Sequence, residues 1–281
     1  MNKNRIMSND LKQITPEDLK AVQLDILDKV AQFCETNGIV YFLGYGTLIG
    51  AVRHQGYIPW DDDIDICMPR EDYDKFINQF DEGNSDYGVK ALVNEKNIPY
   101  PFAKVYNKKT VLEEFSDAEE ISIGVNIDLM PIDNVPSDKY KRCRQISTIC
   151  ILNKILSIKL VKVSEKRGQL KNMLLMLLKM FFATFSINFL ITRIEKVSRR
   201  YNGVKAEYVG DIVFGNSRTF ILKEQLFNTI KCEFEGRKFN IPMGYDEWLT
   251  KWYADYMKIP PLEQRVTHHA FIAYWKGEPA L

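Results

Sequence analysis

Residues 44–70 read GYGTLIGAVRHQGYIPWDDDIDICMPR, and within them Asp61-Asp62-Asp63-Ile64-Asp65-Ile66 decides what the rest is for. Four carboxylates fall within five residues and run into an apolar stretch. A strand is predicted over residues 64–68. Side chains two apart then share a face, so Asp63 and Asp65 point the same way while Ile64 and Ile66 enter the core. Carboxylates held side by side repel unless positive charge lies between them. A hard divalent cation with oxygen ligands, Mg²⁺ or Mn²⁺, meets that need. An EF-hand loop is excluded, because its sixth position would be Ile66 where glycine is required and its twelfth Asp72 where glutamate is usual. A solvated acidic turn satisfies the same string when it stands alone.

The upstream residues weigh against that plain turn. Gly44-Tyr45-Gly46-Thr47 follows a predicted strand at 39–43 and precedes a predicted helix at 48–53. A small Gly-Thr turn at a helix N-terminus exposes backbone N–H groups and a hydroxyl that suit a phosphate, so Gly46 and Thr47 are candidate phosphate contacts. A phosphate cradle followed by an Asp-x-Asp on the next strand is a nucleotide-handling layout. Arg53, His54 and Lys104 are the nearby cations expected on phosphate oxygens, with Arg53 equally able to pair with the aspartate run.

A later strand is predicted at 124–130, with Asp128 between Ile127 and Leu129. A buried carboxylate without a partner is costly, so Asp128 is either a hydrogen-bonded turn residue or a group facing a site. Asp133 is expected to cap or to support from behind.

The RHxGxIPWDDDIDI core of residues 44–70 resembles the LicD family, whose fold is that of the nucleotidyltransferases. Residues 127–133 (IDLMPID), 244–246 (GYD), 253–259 (YADYMKI) and 260–269 match the family's later pieces, with a gap from about 137 to 209. The resemblance implies phosphocholine transfer from CDP-choline onto cell-surface glycans, or ribitol phosphate transfer as in fukutin and fukutin-related protein. It also favours Asp128 as the third carboxylate, a metal ligand or general base beside Asp63 and Asp65. The implied partners are CDP-choline or another CDP-alcohol and a lipid-linked glycan of teichoic acid or lipopolysaccharide type, with no nucleic acid. Two rivals remain: a nucleotidyltransferase that releases pyrophosphate, and a non-catalytic scaffold, in which the carboxylates would be eroded. A choline head group calls for an aromatic cage, for which Trp60, Tyr45 and Tyr57 are near in sequence.

The net charge of +1 hides an asymmetry. Residues 138–200 hold fifteen Lys and Arg against three Asp and Glu, which leaves the rest of the chain acidic. Two apolar helices are predicted there, 149–163 and 173–194, both short of the ~18 uninterrupted apolar residues of a spanning helix. Such a basic, apolar segment is either a helical subdomain or a surface for anionic headgroups, and the resemblance favours the membrane. Five scattered cysteines without a Cys-x-x-Cys indicate neither zinc nor a disulfide framework. Residues 1–12 are polar, so a cytoplasmic chain, peripheral on the inner face of the membrane, is expected.

Elsewhere, Thr15-Pro16 opens a helix that Asn37-Gly38 ends. Further predicted elements are a helix at 71–80, short strands at 89–93, 102–106 and 111–115, a hairpin at 234–239, and a helix at 244–257. The adjacent His268 and His269 are not expected to be ligands. The predicted class is α/β (α+β): a nucleotidyltransferase-like mixed sheet with flanking helices (1–136), a basic helical insert (137–207) and a C-terminal part completing the catalytic domain (208–281).

Overall fold

The computed structural model describes residues 11–81, 86–95, 98–114, 123–164, 167–216, 220–267 and 271–277. The first helix, α1 (Pro16–Asn37), begins as its sequence dictates: the Thr15 hydroxyl accepts from the Asp18 amide at 3.1 Å, and Gly38 closes the helix at φ 62°. Its buried face carries Leu19, Val22, Ile26, Leu27 and Val30, and also Gln23.

Strand β1 (Phe42–Leu43) and helix α2 (Tyr45–His54) follow. The predicted free turn at 44–47 is thus absorbed into the helix, with Gly44 as its extended N-cap and Gly46 and Thr47 in the first turn. Strand β2 (Asp65–Pro69) begins one residue later than predicted, so Asp63 lies ahead of it rather than on its face. The Asp61 amide donates to Ile58 O at 2.9 Å, and the Asp62 amide to the Asp61 carboxylate at 3.3 Å. Those local bonds turn the acidic run before the ladder can begin.

After α3 (Arg70–Gln79) come β3 (Tyr87–Lys90), β4 (Ala103–Asn107), β5 (Thr110–Glu114) and the ten-residue β6 (Asn126–Val135). Among the described residues the main sheet runs β1-β2-β6-β4-β3, with β2 and β6 parallel and the other pairs antiparallel. Helices α4 (Lys139–Leu160), α5 (Gln169–Phe181) and α6 (Ile187–Ser198) form the basic segment. The single helix predicted at 173–194 is two, because Ser186 caps α6 through the Phe189 amide at 3.1 Å. Strands β7 (Tyr208–Gly210) and β8 (Ile221–Leu222) then extend the far half of β6.

The chain closes with α7 (Lys223–Phe227), the hairpin β9 (Thr229–Phe234) and β10 (Arg237–Pro242), α8 (Tyr245–Tyr253), and β11 (Phe271–Trp275), which pairs with β5. Glu235 and Gly236, at φ 51° and 71°, make the left-handed turn that a two-residue hairpin needs.

The class is mixed α/β, with a curled mixed sheet and flanking helices. One core joins α1, α2, the sheet and α8; a second joins α4 and α6 to Val135, Ile212 and Val213. The two meet at a buried ion network. Arg70 grips Asp133 with two hydrogen bonds of 2.8 and 2.7 Å and reaches Glu195 of α6 at 3.0 Å. Glu195 also receives Arg199 at 2.7 Å. Among the described residues no helix is long and apolar enough to cross a membrane. His268 and His269 lie outside the described residues.

Candidate active site

Parallel pairing of β2 with β6 sets Asp65 opposite Asp128 in register, so the two carboxylates rise from the same face of the sheet on adjacent strands. The Asp128 amide donates to Ile64 O at 2.8 Å. On its other side Asp128 faces Lys104 in register with β4, and the Lys104 ammonium lies 2.5 Å from its carboxylate and 3.1 Å from Asn126 Oδ1. The Asp65 amide donates to the Thr47 hydroxyl at 2.8 Å, which ties the first turn of α2 to the start of β2.

Asp65 carries the electrical consequence. Burial raises its pKa well above the usual carboxylate range; Asp63, Asp128 and Asp61 raise it further, and Lys104 opposes them. Several carboxylates therefore act on Asp65 together, with the Lys104 ammonium opposing them.

Asp65 and Asp128 stand outside the group of carboxylates close enough to share an ion. Among the described residues that group is Asp61, Asp62 and Asp63, each half-buried, with one oxygen of each within 4.8 Å of the others. Gly46 makes room for them: a β-carbon there would stand 2.6 Å from an Asp61 carboxylate oxygen. This is a packing reason for glycine in the first turn of α2 that needs no phosphate. The α2 N-terminus, with its partial positive charge, abuts the carboxylates as a helix dipole favours. Gln23 reaches in from α1, its amide donating to Asp62 O at 2.9 Å. Asp63, Lys104, Asn126, Asp128 and Phe271 line a cleft with Gln23. Tyr253, at the end of α8, feels the same carboxylates: its hydroxyl pKa is raised first by burial and then by Asp65, Asp61 and Asp63.

An all-oxygen donor set with surplus negative charge fits Mg²⁺ or Mn²⁺ rather than a softer metal.

The chain is 32% identical over 273 residues to the lipopolysaccharide cholinephosphotransferase LicD of Haemophilus influenzae, a match covering 94% of this chain and 99% of that protein. The chain belongs to the LicD family of phosphotransferases. The family's sequence model, described as LicD/FKTN/FKRP, nucleotidyltransferase domain, matches residues 38–144, which hold all the carboxylates above and Lys104. Uncharacterised proteins of Rickettsia prowazekii and Rickettsia typhi are 32% identical over 123 residues and 34% over 89. Those matches cover 42% and 27% of this chain, and 41% and 29% of the respective relatives.

Other candidate residues of this LicD-family chain stand elsewhere. Arg53 donates to the carbonyls of Tyr256 at 2.5 Å and Lys258 at 3.4 Å, so its guanidinium pins the segment after α8 instead of facing the aspartates. His54 sits edge-on to Trp60, and burial followed by the charge of Arg53 lowers its pKa. Trp60 in turn takes the Arg265 guanidinium over its ring at 5.2 Å. Tyr57 is not a cage wall: it is buried against Phe234, with Lys20 over its ring. Tyr45 is held at φ 46° by Trp248, Trp252 and a hydrogen bond from its hydroxyl to the Asp211 carboxylate.

Sequence reasoning passed over Gln23, Asn126 and Tyr253. Gln23 left a signal, being a polar residue on the apolar stripe of α1.

Proposed function

We propose that this chain transfers phosphocholine from a CDP-linked donor, CDP-choline, to a hydroxyl of a cell-surface glycan of lipopolysaccharide or teichoic acid type, releasing CMP. The near end-to-end match to a lipopolysaccharide cholinephosphotransferase carries this reading. The carboxylate cluster around Asp65 supports it.

Asp63, Asp65 and Asp128 are assigned to hold Mg²⁺ or Mn²⁺, with Asp61 and Asp62 adjoining. When bound, the ion supplies neutralisation of the charge that spreads over the phosphoryl oxygens and the leaving phosphate. Lys104 offers its ammonium to a donor phosphate oxygen from beside Asp128. The first-turn amides of α2, at Gly46 and Thr47, are assigned to the same phosphates.

Asp128 takes the proton from the glycan hydroxyl as that oxygen bonds to the phosphorus carrying choline. The bond from this phosphorus to the bridging oxygen breaks, and CMP leaves with the electron pair. The acceptor is lipid-linked and is met at the inner face of the cytoplasmic membrane.

The test is incubation with Mg²⁺, a soluble glycan acceptor and a panel of CDP-alcohols. CMP appearing with CDP-choline, in step with phosphocholine on the glycan, is the expected result. Pyrophosphate from a nucleoside triphosphate, with no CMP from any CDP-alcohol, would overturn it.

A further inference from the structure

Helix α5 is built inside out. Leu170, Met173, Leu174, Leu177, Met180 and Phe181 form one stripe along it, each between 55% and 76% exposed. At about 100° per residue, the one buried side chain of the helix, Leu175, lies roughly opposite the middle of that stripe. Lys171 and Lys179 are one turn before and after Leu175, so they share the polar side. Lys179 is turned inward, its ammonium donating to the Lys159 carbonyl of α4 at 3.0 Å, while Lys159 donates to the Phe182 carbonyl at 3.2 Å. An ordinary surface helix buries its apolar stripe and wets its lysines. Here the protein holds Lys179 and offers the apolar stripe. Phe185 and Phe189, stacked at 5.6 Å and partly exposed, prolong the patch past the end of α5.

We infer that this face docks on a lipid bilayer bearing anionic headgroups, with α5 lying in the interface plane. Its 13 residues span about 20 Å, too short to cross but suited to lying flat. The charge around it selects the surface. The described acids of residues 138–200 are Asp138 and Glu195. Asp138 caps the far end of α4, and Glu195 is tied to Arg70 and Arg199. Exposed Arg193, one turn after Phe189 of the patch, and exposed Lys154 are left to meet negative headgroups. A second copy of the chain fits less well, because a two-fold contact would set this basic segment against itself.

The inference deepens the proposed work at a membrane, resting on that reading for its setting and not for its chemistry. The test is flotation of the full chain with vesicles of pure phosphatidylcholine or of phosphatidylcholine with phosphatidylglycerol, at physiological salt. Wild type is expected to float with the anionic vesicles at least tenfold more than with the neutral ones. Leu174→Glu with Leu177→Glu should stay in the dense fraction while melting as wild type and releasing CMP with a soluble glycan at the wild-type rate. Met173→Glu with Met180→Glu is the second pair should the first misfold.

Wild type that ignores anionic vesicles, or a folded double variant that floats as well as wild type, would overturn the inference. So would light scattering that shows a wild-type dimer turned monomeric by these changes. Intact flotation with no CMP from any donor would instead sink the proposed chemistry and leave this surface standing.

Discussion

Asp128 and Asp133 stand on the same strand, β6, an odd number of residues apart and so on opposite faces. Asp133 is fully buried and completely answered: Arg70 binds it through two nitrogens, and Asn202 donates to it at 2.6 Å. Asp128 is only partly covered. It meets the Lys104 ammonium, which also opposes the charges around the neighbouring Asp65. A carboxylate buried on a strand is costly unless it is paired or hydrogen-bonded. Where the chain supplies that partner in full the result is architecture, here the joint between the sheet and α6. Where the neighbours of a strand carboxylate are themselves carboxylates, as at Asp65, the surplus charge is where the proposed cation is assigned.

Changes on the two sides should therefore separate activity from stability. The largest effect expected is on the open side. Asp65→Asn should lower kcat/KM for CMP release at least about 10³-fold, some 4 kcal/mol of transition-state stabilisation. The same change should leave metal-free melting equal or higher, because it removes a repelled charge.

Arg70→Met breaks the closed side. With Asp133 left uncompensated, urea unfolding should show a loss of about 3–5 kcal/mol, while activity per folded molecule persists. Loss of activity with unchanged stability in Arg70→Met would erase the contrast.

Protons and metal should compete on the open side alone. The raised pKa of Asp65 means that the folded protein holds a proton which the unfolded chain gives up. This contribution to stability is present at low pH and lost as pH rises through the folded value. Metal-free stability should thus decline with rising pH and Mg²⁺ should cancel the decline, with protons released on binding, measured by calorimetry in two buffers.

The smallest effect belongs to Asp211. Burial raises its pKa to about 7, opposed by the hydrogen bond from Tyr45. Its contribution likewise fades between the ordinary carboxylate range and about pH 7. Asp211→Asn should therefore gain on the order of 1–3 kcal/mol at pH 8 relative to its effect at pH 4, read by thermal melting.

Local chemistry was legible in the sequence where local bonds decide it. Thr15-Pro16 and Asn37-Gly38 bracket α1 because caps are written in neighbouring residues, and Glu235-Gly236 marks its hairpin for the same reason. The position of the Asp61–Asp65 run beside a helix start was also readable. The Asp65–Asp128 register was not, since pairing across 63 residues depends on how the sheet is threaded. Arg53 could not be placed, because the carbonyls it binds lie some 200 residues away in sequence. Ser186 has the side chain of a cap, but the apolar residues around it masked the break between α5 and α6. The outward face of α5 was hidden too: periodicity shows that a stripe exists, not which way it points.

Counting CMP from CDP-choline, with and without EDTA, for wild type and Asp65→Asn tests the central assignment most directly. The account requires turnover that EDTA abolishes and Mg²⁺ restores in wild type, and neither in the variant. Turnover that ignores EDTA, or that survives the loss of the Asp65 charge, would contradict it.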